Sequence, residues 1–182
     1  MSAGALLASL AAIFARTSVP YMIAGSFASS LHGEPRTTHD LDVVIDPTPE
    51  TFAALIAALH AEAYYADPDT ARDALARRTM FNAIAASGWK VDFIVRRARP
   101  FSVSEFARRQ PARLFEVDVL VATVEDTILA KLEWAAAGGS ERQLRDVAGM
   151  VAVAGDALDR SYLERWLDEL GVRAAWRRLI DG

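Results

Sequence analysis

The feature that most constrains the fold is segment 40–45, which reads Asp-Leu-Asp-Val-Val-Ile. Side chains on a β-strand point alternately to opposite faces. A strand over 41–45 therefore directs its leucine, first valine and isoleucine into a core. Asp40 and Asp42 are left together on the other face. The chain must accordingly form a sheet with one buried face and one face that tolerates paired carboxylates.

Two carboxylates at this spacing can bind a cation together. Residues two apart on a strand lie roughly 7 Å apart at their Cα atoms, so Asp40 and Asp42 can converge on one site. They also repel each other, and a divalent cation relieves that repulsion. Oxygen ligands of this kind suit Mg²⁺ or Mn²⁺. The alternatives are that Asp40 is a turn residue, or that both carboxylates are solvated on an edge strand.

A glycine–serine pair lies upstream of this strand, at positions 25 and 26. The apolar run 21–24 predicts a short strand, and Ser26 to Leu31 predicts a short helix after Gly25. Glycine permits close backbone approach, and a helix N-terminus offers free N–H groups to an anion. Gly25 and Ser26 therefore form a candidate phosphate cradle, although Ser26 can also be explained as a helix cap.

A third carboxylate interrupts an otherwise apolar strand. Asp92 lies within 89–95, which reads Trp-Lys-Val-Asp-Phe-Ile-Val. A charge in the middle of a strand needs a partner or a solvent-facing side. If this strand neighbours 41–45, Asp92 can share a cation site with Asp40 and Asp42. Otherwise Asp92 lies on the polar face of a two-sided strand.

Together these positions resemble the DNA-polymerase-β-like nucleotidyltransferase superfamily. The matching residues are Gly25, Ser26, Asp40, Asp42 and Asp92, and the match covers 21–95. Segment 36–42, Arg-Thr-Thr-His-Asp-Leu-Asp, is similar to the small bacterial branch that includes AbiEii-type toxins.

A second, less specific match to that branch lies downstream, in 124–134 and 142–147. In that branch a helix lysine and a later aspartate recur, which correspond here to Lys131 and Asp146. Lys131 can contact a triphosphate or lie on a solvated helix face. Asp146 can act near the acceptor or pair with a nearby basic side chain. Arg36 can contact substrate or pair with Asp40 or Asp42.

The resemblance implies a small mixed sheet backed by helices, and transfer of a nucleoside monophosphate from an NTP to an acceptor. By that resemblance, Asp40, Asp42 and Asp92 would be metal-binding and catalytic. Gly25 and Ser26 would hold the β- and γ-phosphates. The acceptor would be RNA or a tRNA end, a protein or a small molecule, and an antitoxin is an expected partner if the chain is a toxin.

Composition excludes several classes of protein. There are no cysteines, so disulfides, thiolate metal sites and cysteine nucleophiles are ruled out. The net charge of -4 argues against gripping duplex nucleic acid through a broad basic surface. No apolar run is long enough for a bilayer, and the start lacks the basic region of a signal peptide, so we expect a cytoplasmic protein without membrane attachment. Only two of the 20 basic residues are lysine.

The fold class expected is α+β, with a nucleotidyltransferase core over 1–122 and a C-terminal helical bundle over 123–182 packed on it. We expect strands over 80–86 and 89–95 around a hairpin turn, a helix over 104–110, and at least one strand within 114–121. Helices are expected over 124–137, 140–154, 161–170 and 173–180. Trp134, Trp166 and Trp176 are expected to fill the helical core, and Arg108 to lie on a solvated helix face.

Two other hypotheses remain open on the sequence alone. The chain can be a non-catalytic nucleotide- or partner-binding module on the same fold. It can also be a helical interaction protein whose acidic strand is incidental. The mutual position of the three aspartates beside Gly25 and Ser26 separates these hypotheses from an enzyme.

Overall fold

The structure, a computed structural model, describes residues 1–180. Within this range the chain forms nine α-helices, one 3-10 turn and a seven-stranded mixed sheet, which confirms the α+β class. The helices are α1 (Ala3–Thr17), α2 (Gly25–His32), α3 (Pro49–Ala61), α4 (Pro68–Arg77), α5 (Pro100–Arg108), α6 (Val124–Gly138), α7 (Glu141–Ala154), α8 (Arg160–Glu169) and α9 (Arg173–Ile180). The strands are β1 (Tyr21–Ile23), β2 (Asp40–Ile45), β3 (Tyr64–Tyr65), β4 (Met80–Ala85), β5 (Lys90–Val95), β6 (Gln110–Leu114) and β7 (Val117–Val121).

Most helix starts follow local capping chemistry. The side chains of Ser2, Thr48, Asp67 and Thr123 each accept a hydrogen bond from the backbone N–H three residues later. Each cap satisfies one of the N–H groups that a helix start leaves without a partner. Helices α2, α5 and α7 have no side-chain cap, and the cap position of α2 is Ala24.

The predicted helix over 104–110 is wrong in its bounds. Helix α5 begins at Pro100 and ends at Arg108, and Gln110 already belongs to β6. Proline is favoured at the first position of a helix because its missing N–H is not needed there. Strand β6 is the outer strand of the sheet, and such an edge tolerates Pro111. The strand predicted within 114–121 is β7, which pairs antiparallel with β6 to form a hairpin.

The sheet order is β3-β4-β5-β2-β1-β7-β6. Strand β2 lies at its centre, antiparallel to β1 and parallel to β5. The register aligns Asp42 with Asp92 on the adjacent parallel strand, and Asp40 with Lys90. Strand β4 pairs antiparallel with β5 and aligns Asn82 with Asp92. The topology therefore brings the predicted acidic positions of two distant segments side by side.

The two faces of the sheet have different environments. One face forms the main core with α1, α3 and α4, and it takes the apolar side chains of β2 and β5, among them Leu41, Val43 and Phe93. The opposite face includes Val44 and Ile94, which pack with Phe106 of α5. The carboxylates of β2 and β5 share this second face because they alternate with the core residues.

The C-terminal helices have a core of their own, centred on Trp166 and Leu167. Phe101 of α5 belongs to this cluster, and α2 packs against both α6 and α7. The expectation that Trp134 fills this core is wrong, because its side chain is 64% exposed, whereas Trp166 and Trp176 are buried. Division into units at 122/123 remains a proposal. None of the described helices is long and apolar enough to cross a membrane.

Candidate active site

The site is centred on the neighbouring strands β2 and β5. Asp42 and Asp92 are Cα partners in this parallel pair, and neighbouring strands lie roughly 4.8 Å apart. Asp92 is buried and Asp42 is partly buried. Two carboxylates are thus held side by side on a rigid sheet, in an environment where their repulsion is weakly screened.

The start of α2 lies directly against Asp42. Gly25 has φ +57°, and a Cβ atom at this position would lie 1.8 Å from Asp42 Oδ2. No side chain can therefore occupy the position without displacing the carboxylate, and the backbone angle itself favours glycine. The Ala24 backbone N–H donates to the Asp42 carbonyl at 3.0 Å, which fixes α2 against the strand.

The electrostatics of Asp42 reflect this crowding. Its pKa is raised, first by burial and then by the Asp92 and Asp40 carboxylates. The backbone N–H of Ser26 and the Lys131 ammonium act in the opposite direction and favour the charged form. A cation bound beside Asp42 and Asp92 would stabilise the charged form of both carboxylates.

Asp92 has two partners that the sequence analysis did not identify as site residues. Asn82 of β4 donates its side-chain amide to Asp92 Oδ1, and Lys90 Nζ lies 3.1 Å from Asp92 Oδ2. The hydrogen bond to Asp92 raises the pKa of Lys90. The signal for Lys90 was present in the sequence, since it stands two residues before Asp92 and therefore on the same strand face. Asn82 could not be found without the β4–β5 register.

Asp40 is the most exposed of the three carboxylates and lies 3.9 Å from Lys90 Nζ. One ammonium thus contacts both Asp40 and Asp92, so this edge of the sheet already accommodates a cation. The donor set consists of carboxylate oxygens, which suit Mg²⁺ or Mn²⁺. Among residues 1–180, no group of three or more His, Asp or Glu side chains is arranged to hold a metal ion as it stands. The shared cation site therefore remains a prediction whose donor chemistry fits.

A chain of polar contacts connects the C-terminal helices to the phosphate-cradle candidate. Lys131 of α6, only 5% exposed at its side chain, donates to Asp146 Oδ2 of α7 at 2.7 Å and to Gln143 at 2.8 Å. Asp146 also pairs with Arg36, at 3.2 Å from its Nε. The Arg36 guanidinium in turn donates to the Ser26 hydroxyl. Lys131, Asp146 and Arg36 therefore lie in one network at the N-terminus of α2.

This network resolves two alternatives left by the sequence. Arg36 pairs with Asp146 rather than with Asp40 or Asp42. Lys131 is buried rather than on a solvated face, and burial lowers its pKa while Asp146 raises it. The Asp42 carboxylate also acts on Lys131 and favours its charged form.

Several solved structures resemble this chain over most of its length. A crystal structure of ANT(2'')-Ia in complex with adenylyl-2''-tobramycin has a TM-score of 0.62 at 13% identity, covering 94% of this chain and 98% of that chain. An antigenic nucleotidyltransferase-like protein from Paracoccidioides brasiliensis has a TM-score of 0.60 at 15% identity, covering 91% and 87%. The lincosamide antibiotic adenylyltransferase LnuA, lincomycin-bound, has a TM-score of 0.54 at 10% identity, covering 79% and 93%.

No protein-family model and no curated protein matches the chain. At these identities the structural likeness establishes the fold alone. That fold is the one shared with nucleotidyltransferases, so the fold expected from the sequence is confirmed.

Proposed function

We propose that the protein is a divalent-metal-dependent nucleotidyltransferase. The observation that supports this most is the pairing of Asp42 and Asp92 on adjacent strands, with the Gly25 backbone pressed against Asp42. This arrangement combines an oxygen-rich cation site with the free N–H groups at a helix start, which suit a polyphosphate. The fold shared with nucleotidyltransferases is consistent with it.

The reaction moves a nucleoside monophosphate. An acceptor hydroxyl oxygen forms a bond to the α-phosphorus of an NTP, the bond from that phosphorus to the bridging oxygen breaks, and pyrophosphate leaves with the electron pair. Asp40, Asp42 and Asp92 would hold Mg²⁺ or Mn²⁺, which when bound neutralises the developing phosphate charge. Asp92 would take the proton of the acceptor hydroxyl.

The remaining residues position the triphosphate. Backbone N–H groups at Gly25 and Ser26 would hold the β- and γ-phosphates, and Lys131 would add a positive charge. Arg36 and Asp146 join Lys131 to Ser26, so they would contact substrate or acceptor and keep these groups aligned. Most of the catalysis then comes from positioning and charge neutralisation.

Two classes of acceptor are proposed. Two structural neighbours are described with antibiotics, tobramycin and lincomycin, which supports a small hydroxyl-bearing molecule as one class. The AbiEii-like segment 36–42 supports a second version, in which the chain is a toxin that modifies RNA or protein and is held by an antitoxin.

The test uses NTP labelled at the α-phosphate, Mg²⁺ and cell extract. Wild type is expected to transfer label to an acceptor, and the double variant Asp40→Ala, Asp42→Ala is expected to transfer none. Equal labelling by both proteins would contradict the proposal. Separating the labelled products by size and by nuclease or protease sensitivity then identifies the acceptor class.

One observation favours a second candidate, a non-catalytic nucleotide-binding module. The Lys90 ammonium already neutralises part of the carboxylate charge at the Asp40–Asp92 edge. This alternative predicts nucleotide binding that needs no metal and persists in Asp92→Asn. Calorimetry with NTP, in the presence and absence of Mg²⁺, separates it from the enzyme.

A further inference from the structure

The Lys90 ammonium lies among the carboxylates of the candidate active site. Its Nζ is 3.1 Å from Asp92 Oδ2 and 3.9 Å from Asp40 Oδ1. The Asp42 carboxylate adds a weaker attraction. A divalent cation bound by these carboxylates would therefore meet a positive charge that is already in position.

The strand register places Lys90 beside the acidic positions. Lys90 is the Cα partner of Asp40 on the parallel strand β2, and it precedes Asp92 by two residues, on the same face of β5. The strand on the other side, β4, aligns Ile84 with Lys90. The lysine stem therefore starts between an acidic neighbour on one strand and an apolar neighbour on the other.

Both side-chain oxygens of Asp92 already have a donor. Asn82 donates its amide to Oδ1, and the Lys90 ammonium lies at Oδ2. A neutral amide can share a carboxylate oxygen with a metal ion, because each oxygen has more than one acceptor site. The ammonium is different, because a single and a double positive charge about 4 Å apart repel each other. Even at the dielectric constant of water, this repulsion corresponds to a roughly 30-fold loss of metal affinity.

The open side of the sheet offers the ammonium another position. The Lys90 side chain is 41% exposed, so its charge can reach water. Ile84 and Tyr65, which are Cα partners on β4 and β3, are 45% and 70% exposed. A lysine stem can cover such apolar surface while its charged end stays in water. Lys90 can therefore leave the carboxylates by rotation of its side chain, without a change in the sheet.

From this geometry we propose that Lys90 is an internal counter-ion that a divalent cation displaces from Asp40 and Asp92. The inference rests on the proposed nucleotidyltransferase function and adds a control of metal binding to it. While Lys90 is paired, the carboxylates are partly neutralised and bind a free metal ion weakly. A metal ion that arrives with the triphosphate has phosphate oxygens as further ligands, so it displaces Lys90 more readily. Lys90 is thus a positioning residue that couples metal binding to NTP binding.

The first test measures metal affinity without nucleotide. Electron paramagnetic resonance of free Mn²⁺ gives the dissociation constant for wild type, Lys90→Met and Lys90→Arg. We expect Lys90→Met to bind Mn²⁺ about tenfold more tightly than wild type, since salt screening reduces the full repulsion. Lys90→Arg keeps the charge and should bind no more tightly than wild type.

Arg113→Met is the matched control for loss of a positive charge. Arg113 is paired with Glu116 at 3.0 Å in an exposed hairpin, and its strand lies three strands away from β2. This variant should bind Mn²⁺ as wild type does. The double variant Lys90→Met, Asp92→Asn should lose the tighter binding, because the gain depends on the Asp92 carboxylate. With NTP present, the difference between wild type and Lys90→Met should shrink.

A second measurement uses the wild-type protein. The chain has only two lysines, and the Lys131 side chain is 5% exposed, so acylation of Lys90 by a water-soluble ester can be followed by peptide mass spectrometry. Mn²⁺ should raise the acylation rate of Lys90, because the amine loses its contact with Asp92 and enters water. The N-terminal amine provides the internal reference.

Three results would overturn the inference. If Lys90→Met binds Mn²⁺ no more tightly than wild type while wild type transfers label, Lys90 does not compete with the metal and the proposed function still stands. A Lys90 acylation rate that Mn²⁺ lowers or leaves unchanged has the same meaning. If neither protein binds Mn²⁺, with or without NTP, and wild type transfers no label, the proposed function fails together with the inference. Because Lys90 is partly exposed, Lys90→Met is expected to fold.

Discussion

At the scale of single residues, Gly25 has the most specific requirement. Its position combines positive φ with a space that the Asp42 carboxylate already fills. The Gly25→Ala variant should therefore lose nucleotide transfer and lose about 1–3 kcal/mol of unfolding free energy through strain and displacement of Asp42. Activity assays and denaturant unfolding measure the two effects.

Gly139 supplies the matched control for this substitution. It has a similar φ of +64°, and nothing lies within 4 Å of an added Cβ. The Gly139→Ala variant should cost only about 1 kcal/mol of backbone strain and leave transfer unchanged. Equal activity loss in the two variants would show that contact with Asp42 is not the cause.

The two lysines offer a second residue-level comparison. Lys131 is buried and paired with Asp146, while Lys90 is a partly exposed strand residue. Removing one partner of a buried ion pair costs about 3–5 kcal/mol when the other charge is left without a partner, but Asp146 keeps Arg36 as a second partner. Lys131→Met should therefore lower unfolding free energy by at most about 3 kcal/mol, and Lys90→Met should lower it less, by about 1 kcal/mol or less. Urea unfolding measures both, and equal losses would contradict the role of burial.

The sequence predicted the placement of the candidate carboxylates better than their partners. Strand alternation depends only on local geometry, so it placed Asp40 and Asp42 on one face, and the structure aligns Asp42 with Asp92. Their role as site residues stays a prediction. The contact of Lys90 with both Asp40 and Asp92 depends on side-chain conformations, which spacing does not determine. The pairing of Arg36 with Asp146 joins residues 110 positions apart and could not be predicted locally.

At the scale of elements, α5 and α6 meet through buried charge. Asp126 at the start of α6 is fully buried, and it accepts from Thr123 Oγ1 and Tyr162 Oη, each at 2.6 Å. Arg108 of α5 donates to Asp126 at 3.2 Å and stacks over the Tyr162 ring at 3.7 Å. The expectation that Arg108 lies on a solvated face is therefore wrong, because its partners come from helices distant in sequence.

The α5–α6 interface makes the unfolding free energy depend on pH. Burial, and then repulsion by Asp126, raise the pKa of Glu105 on α5 to about 8, against the opposing effects of Ser102 and Arg99. In the unfolded chain the pKa of a glutamate is about 4.3. Between about pH 4.3 and pH 8 the folded protein therefore binds one proton more than the unfolded chain, at Glu105. Unfolding free energy should therefore fall as pH rises from about 4.5 to 8 and then level off.

Glu105→Gln should remove this decline and be more stable than wild type at pH 9. Denaturant unfolding at several pH values between 5 and 9 measures the effect. Glu116→Gln is the control, because Glu116 is exposed in a turn and should leave the wild-type profile unchanged. A wild-type profile that is flat from pH 5 to 8 would contradict the raised pKa.

Element type was predictable where one local pattern dominated. Helix α7 was predicted from its apolar periodicity and the flanking glycines, and β4 and β5 from the short Ser87-Gly88 turn. The predicted helix over 104–110 lacks the first turn of α5, which begins at Pro100. Strand β6 was missed because its exposed residues include Pro111 and Arg113, and such an edge strand lacks alternation.

At the scale of the whole molecule, the sheet and the helical region are joined by packing and by charge. Phe101 enters the helical core from α5. At the end of α2, a Cβ on Gly33 would lie 2.9 Å from the Met150 backbone nitrogen of α7. The Arg36–Asp146–Lys131 network crosses the same boundary. We therefore expect residues 1–122 and the helices after them to unfold as one unit.

Thermal unfolding followed by far-ultraviolet circular dichroism and by tryptophan fluorescence tests this. The two probes should give coincident transitions with a single midpoint. Two separated midpoints, with fluorescence and helicity lost at different temperatures, would instead indicate two independent units.

The central claim is that the Asp42–Asp92 pair supports metal-dependent nucleotide transfer. The most direct measurement is the rate of α-phosphate transfer with and without EDTA, for wild type, Asp42→Asn and the charge-matched control Asp118→Asn, an exposed strand position. Wild type and Asp118→Asn should transfer at equal rates and stop when EDTA is added. Asp42→Asn should be slower by roughly 100-fold or more. Transfer by Asp42→Asn at the wild-type rate, or transfer that EDTA does not stop, would contradict the claim.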